Sequence, residues 1–221
     1  MKLSKKYILF DMDGTLTDSK PGILRSMQYA MRCFGAEISD GDLDAYSFML
    51  GPPLRESFKI IKERFGLCGV SDEAAVAKYR EYYIPKGMFE NNLYPGAQSL
   101  LKDLKSAGKT VILATSKAET YSRQILEHFD ILRYFDLTVG AELDGRRSDK
   151  TEVILYALEK CGISSDAEKK QSVMIGDKRH DIDGAAAAGI ESVGVLYGYG
   201  SAEELAGADY IIKSLEELII V

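Results

Sequence analysis

The chain has 221 residues, 46% hydrophobic and 28% charged, with a formal net charge of −6 at pH 7. That length can bury a substantial core, as one large domain or as a core with a smaller insert. The acidic balance offers no basic footprint for a nucleic acid polymer and no attraction to an anionic membrane surface, so an anionic substrate needs a local positive site.

Met1-Lys2-Leu3-Ser4-Lys5-Lys6 is basic, but the apolar run after it, Tyr7-Ile8-Leu9-Phe10, is too short for a signal core. That run reads as a strand buried on both faces. Asp11 and Asp13 come next, then Gly14, which permits a turn other residues resist. On a strand, residues two apart share a face about 7 Å apart. Two anions at that distance repel by about 2.4 kcal/mol at an effective dielectric of about 20. A divalent cation removes the conflict, and oxygen ligands with few carboxylates suit Mg²⁺. An Asp-rich turn with no chemistry is the plain alternative.

A helix is predicted over 21–35, with Pro21 in its first turn, Gly35 at its stop, and Ile23, Met27, Ala30, Met31 and Phe34 on one face. Residues 40–90 continue as helical pieces. Leu54, Phe58, Ile61 and Phe65 line one face, and Ser71-Asp72-Glu73 starts a helix running through Tyr79, Tyr82 and Tyr83. The tyrosines Tyr29, Tyr46 and Tyr82 pack this helical region or stack on a ligand ring. From Tyr94-Pro95-Gly96 the pattern changes. Helices over 97–107, to about 129, 149–161 and 182–188 alternate with strands over 110–115, 137–139, 172–176, 192–196 and 210–212, and a short helix over 215–218 closes the chain. This alternation implies an α/β fold with a doubly wound parallel sheet. Residues 1–17 and 91–221 are expected to form the α/β core, and residues 18–90 an inserted all-helical domain. No stretch is long enough to span a membrane. Cys33, Cys68 and Cys161 are far apart and lack CxxC spacing, which argues against disulfides or zinc and for small buried hydrophobes in a reducing, cytoplasmic protein.

In open parallel sheets, ligands bind outside the carboxyl ends of strands, near a switch point. Two further polar groups fall at such places, and another follows at a helix start. Thr115-Ser116-Lys117 ends a strand, where a hydroxyl and turn N–H groups cradle a phosphate or merely cap a helix. Lys150 stands at a helix start, where its charge opposes the dipole. Gly176-Asp177-Lys178-Arg179-His180-Asp181 ends another strand, and Asp177 and Asp181 face the same way if a helix has begun. His128 and His180 are expected at the surface.

Taken together, these motifs resemble those of the haloacid-dehalogenase-like superfamily of phosphohydrolases, in order and over nearly the whole chain. The resemblance implies Asp11 as nucleophile and Asp13 as general acid/base. It implies Thr115, Ser116 and Lys150 as phosphate ligands, and a Mg²⁺ site made by Asp11, the backbone carbonyl of Asp13, Asp177 and Asp181. Ser116, where the family commonly has Asn, and Thr151, where many members have proline, depart from its pattern. The resemblance makes the helical insert a cap whose loop Met49-Leu50-Gly51-Pro52-Pro53-Leu54-Arg55 selects substrate through Gly51 and Arg55; a simple inter-helix loop is the alternative. Asp13 argues against dehalogenases and phosphonoacetaldehyde hydrolases, which lack an acid there. The chain is similar to the phosphoglycolate-phosphatase-like subgroup. Gly51-Pro52-Pro53-Leu54 and Asp144-Gly145-Arg146-Arg147 are similar to its bacterial 5′-nucleotidase-like branch. The expected function is Mg²⁺-dependent hydrolysis of a small phosphomonoester through an aspartyl-phosphate. A phosphosugar mutase and a non-catalytic phosphate-binding module are the alternatives.

Overall fold

The computed structural model describes residues 1–52 and 54–221; Pro53, within the loop singled out above, lies outside the described residues. The chain divides into two compact units, Met1–Asp18 with Leu93–Val221, and Ser19–Asn92.

The second unit is helical: α1 (Lys20–Cys33), a 3₁₀ run Asp40–Met49, α2 (Leu54–Arg64), α3 (Asp72–Tyr83) and a short 3₁₀ turn Gly87–Phe89. Pro21 sits in the first turn of α1, where its missing N–H costs nothing. Met27 and Met31 are fully buried, so this methionine face is core. The tyrosines pack too: the rings of Tyr29 and Tyr82 lie 5.5 Å apart, and Tyr46 stacks on Phe65 at 6.3 Å. The Ser71 side chain caps α3 by accepting from the Ala74 N–H.

The main sheet of the first unit has six strands: β1 (Tyr7–Phe10), β2 (Thr110–Ala118), β3 (Leu137–Ala141), β4 (Ser172–Gly176), β5 (Glu191–Val195) and β6 (Tyr210–Ile212). They form one parallel sheet in the order β3-β2-β1-β4-β5-β6. The direction of winding reverses between β1 and β4, which creates a crevice at their carboxyl ends. Helices α4 (Ala97–Ser106), α5 (Glu119–His128), α6 (Lys150–Lys160), α7 (Asp166–Lys169) and α8 (Arg179–Ala188) connect the strands. Leu9, Ile112 and Met174 of β1, β2 and β4 pack with Val153, Ile154 and Ala157 of α6 and Ala185 of α8. Each buried Leu or Ile contributes roughly 1.5–3 kcal/mol. This packing fixes the starts of α6 and α8 at the crevice.

Several expectations are corrected. Strand β2 runs to Ala118 rather than ending at Thr115, with a register shift against β3 between Ala114 and Ala118. Helix α8 begins at Arg179, three residues early, because the Asp181 carboxylate accepts from the Lys178 N–H and closes the first turn. The short strand Lys2–Leu3, paired with Ile219–Ile220, has no counterpart among the predicted elements. Cys33 and Cys68 are exposed rather than buried, Cys33 at the end of α1 and Cys68 in the turn after α2; Cys161 is half-buried, and all three are free thiols. Among the described residues, no helix is long and apolar enough to cross a membrane.

Candidate active site

The site starts where β1 stops. The Asp11 N–H donates to the Ile175 carbonyl of β4 at 2.9 Å, which ties the two strands together at the switch point. The strand ends at Phe10, so Asp11 and Asp13 do not share a strand face as expected. Instead the Met12 carbonyl accepts from the N–H groups of Leu16 and Thr17 at 2.9 and 3.0 Å, and the chain turns back on itself. Gly14 makes the turn at φ 84°. A Cβ there would lie 2.2 Å from Asp177 Oδ2, so no other residue fits.

The carboxylates that meet are therefore Asp11, Asp177 and Asp181, each buried, with one oxygen of each within 4.8 Å of the others. Asp13 is not part of this cluster. Its Oδ2 pairs with Lys117 Nζ at 2.5 Å, and its Oδ1 accepts from Thr17 Oγ1 at 3.4 Å. Lys150, at the start of α6, is only 5% exposed. Its Nζ lies 2.8 Å from Asp11 Oδ1 and 2.8 Å from Asp181 Oδ1, and donates to the Ala114 carbonyl at 3.1 Å. The Asp149 side chain caps α6 by accepting from Thr151 and Glu152 N–H, which sets the helix start and so the lysine.

The electrostatics are lopsided. Burial pushes Asp177 up to about 8, and the like charges of Asp181 and Asp11 add to it; the Tyr199 N–H opposes the shift. Burial also raises Asp181, with Lys150 pulling against it. Burial alone would lower Lys150, but the charges of Asp11 and Asp181 outweigh it and hold the ammonium well above the ordinary lysine range. Three acids against one lysine leave a formal surplus of two negative charges. A hard dication with oxygen ligands would neutralise it, so the donor set fits Mg²⁺.

Thr115 is buried, and its Oγ1 accepts from the Lys117 N–H at 3.3 Å. Ser116 is exposed. Neither caps α5, whose N-cap is Ala118 without a side-chain hydrogen bond. Gly51 and Arg55 belong to the helical unit: Gly51 is an exposed turn residue at φ 107°, and Arg55 pairs with Glu73 at 2.7 Å. Arg147, a second cation close to Lys150 in sequence, is held by Glu142 at 2.7 Å, by the Gly140 carbonyl at 2.9 Å and by the Tyr156 ring at 4.1 Å. His128 and His180 are exposed.

Two features escaped the sequence reading. One is the pairing of Lys117 with Asp13. The other is the loop Tyr197-Gly198-Tyr199-Gly200, in which the Tyr199 N–H donates to Asp177 Oδ2 at 2.7 Å. Its signal was there to find: two glycines alternate with two tyrosines directly beyond a buried strand.

Residues 8–195 match the family described as haloacid dehalogenase-like hydrolase. The chain is 42% identical, over 90% of its own length, to a Mycobacterium tuberculosis protein named tyrosine-protein kinase PtkA, and spans 65% of that protein. It is 39% identical to a 5′-nucleotidase of Pseudomonas aeruginosa, covering 90% of this chain and 86% of the relative. A crystal structure of a "predicted phosphatase" from Clostridium acetobutylicum superposes with a TM-score of 0.83 at 44% identity, covering 97% of this chain and 96% of that one.

Proposed function

Because the chain belongs to the haloacid dehalogenase-like hydrolase family, we propose that it hydrolyses a small phosphomonoester through an aspartyl-phosphate on Asp11. The observation that carries the reading is the Lys150 ammonium held 2.8 Å from both Asp11 and Asp181 at the switch point. A buried cation beside a buried carboxylate brings a phosphate dianion to a nucleophile that would otherwise repel it.

In the first step an Asp11 oxygen attacks phosphorus in line, and the bond to the ester oxygen breaks. Asp13 supplies the proton that the leaving alkoxide takes. In the second step Asp13 accepts a proton from water, whose oxygen attacks phosphorus and releases Asp11 and inorganic phosphate. Lys150, the Thr115 hydroxyl and the Ser116 N–H balance charge on the three equatorial oxygens. Asp11, Asp177 and Asp181, with the Asp13 carbonyl, would hold Mg²⁺, which supplies charge neutralisation on the phosphoryl oxygens when bound. The free cysteines suit a cytoplasmic setting.

The nucleotidase relative and the similarity of Gly51-Pro52-Pro53-Leu54 and Asp144-Gly145-Arg146-Arg147 to that branch favour 5′-nucleotides as substrates. Phosphoglycolate, from the subgroup the sequence resembles, is the other small substrate to test. Phosphate release from 5′-nucleotides, phosphoglycolate and sugar phosphates, with Mg²⁺ and with chelator, tests the reading, with Asp11→Asn as control. No Mg²⁺-dependent release above the control would overturn it. The 42% identity to a protein named tyrosine kinase favours a second reading, in which the phosphoryl group passes to a tyrosine rather than to water. Incubation with γ-labelled ATP and a tyrosine-containing protein distinguishes them: stable label on tyrosine supports transfer, and free phosphate alone supports hydrolysis.

A further inference from the structure

Asp177 is fully buried, as Asp181 is, and what closes over it is the loop 197–200. The Tyr199 N–H donates to Oδ2 at 2.7 Å, and the Thr15 hydroxyl donates to Oδ1 at 3.4 Å, which makes Oδ1 the more weakly held oxygen. A Cβ on Gly198 would lie 2.3 Å from Asp177 Cβ and 2.3 Å from the Gly14 carbonyl oxygen; on Gly200 it would lie 1.8 Å from the Asp177 carbonyl oxygen. Neither glycine has a positive φ, so both are needed for space rather than for backbone conformation. The loop is fastened at both tyrosines. Tyr197 donates its phenol to the Thr15 carbonyl at 2.7 Å and packs on the Tyr94 ring at 4.7 Å, and Tyr199 donates its phenol to Asp18 at 3.0 Å. One loop therefore grips Asp177 and the turn after Asp11 together.

We propose that the loop 197–200 is the positioning and selectivity element of the cation site, holding Asp177 Oδ2 so that Oδ1 is the oxygen turned to a cation, and so favouring Mg²⁺ over Ca²⁺. The chemistry rests on coordination preference. Mg²⁺ requires near-octahedral oxygens at about 2.0–2.1 Å and takes carboxylates through single atoms. Ca²⁺ takes six to eight ligands at about 2.3–2.6 Å and gains from a bidentate carboxylate, which Asp177 with Oδ2 engaged does not offer. The inference rests on the cation site of the proposed function and adds which residues tune it.

The test is calorimetric titration of the full chain with Mg²⁺ and, separately, Ca²⁺. Partners that orient a metal ligand are worth about 10–100-fold in affinity, so Gly198→Ala should weaken Mg²⁺ binding about tenfold or more while changing Ca²⁺ binding less. Tyr197→Phe adds no atoms and removes one anchor; it should weaken Mg²⁺ about three- to tenfold. Gly207→Ala, whose Cβ would meet only Ile182 at 3.7 Å, should bind as the wild type does. If circular dichroism shows Gly198→Ala unfolded, Tyr197→Phe decides. Wild-type Mg²⁺ affinity in both loop variants, or equal losses for the two cations, overturns the inference. A wild-type chain that binds no Mg²⁺ overturns the cation site itself, a distinct result.

Discussion

Among the described residues two lysines are buried, one in each unit, and their surroundings differ in kind. Lys62, near the end of α2, donates to the Val70 carbonyl and pairs with Asp72, the first residue of α3, at 2.7 Å. One cation meets one anion, the Lys62 hydrogen bond holds Asp72 below the usual carboxylate range, and two helices are stitched together. Lys150 meets Asp11 and Asp181 with Asp177 in the same cluster, and it is outnumbered. Burial of a charge is costly unless it is compensated. The first arrangement is complete as it stands; the second is complete only with a further cation or with a proton. Balance marks a fastening, and surplus charge marks a place kept for a ligand.

The sharpest way to break this contrast is at the proposed nucleophile. Asp11→Asn should lower turnover about 10⁴-fold or more with the helical content unchanged by circular dichroism; activity near wild type would remove Asp11 from that role. Next is Lys150→Met. It should reduce kcat about 10²–10³-fold and, by leaving buried carboxylates uncompensated, cost about 3–5 kcal/mol in urea unfolding. A smaller effect is expected from pH. In the unfolded chain an aspartate titrates near about 3.9, whereas Asp177 in the folded chain is pushed up to about 8. Between those values the metal-free folded state keeps a proton that the unfolded state has lost. Stability therefore falls as pH rises from about 4 to about 8 and levels off above. Tm measured in chelator across that window checks the sign, and added Mg²⁺ should recover most of the loss at its upper end. The smallest change belongs to Lys62→Met, which should lower Tm by a few degrees and leave kcat as it was; a fall in kcat would erase the distinction between the two lysines.

Most of the α/β unit was legible because each strand is a short apolar run and each helix has a stop signal, as at Gly108 and Gly162. Asp11 and Asp177 stand directly after such runs, and Lys150 and Asp181 stand at the helix starts beyond them; all four do come together. The rest was hidden because its causes are not local. Nothing near Asp13 announces that Lys117, on another strand, will take its carboxylate. The glycines of 197–200 look like ordinary turn residues until Asp177 fills the space where their side chains would be. The extension of β2 past Thr115 likewise depends on pairing with β3.

The place of β1 in the sheet has a bearing on how the chain is made. Tyr7 pairs with Thr110 on one side and with Ser172 on the other, so the first strand of the sheet to leave a ribosome lies at its centre and waits for both neighbours. Pairing at such sequence separation is slow, because the loop must close before any contact rewards it. Until then the apolar run 7–10 has no shelter within the sheet, and exposed apolar surface of this kind favours aggregation. Asp11 is thus synthesised before every other residue of its site. Any fragment ending before residue 172 lacks one wall of the site.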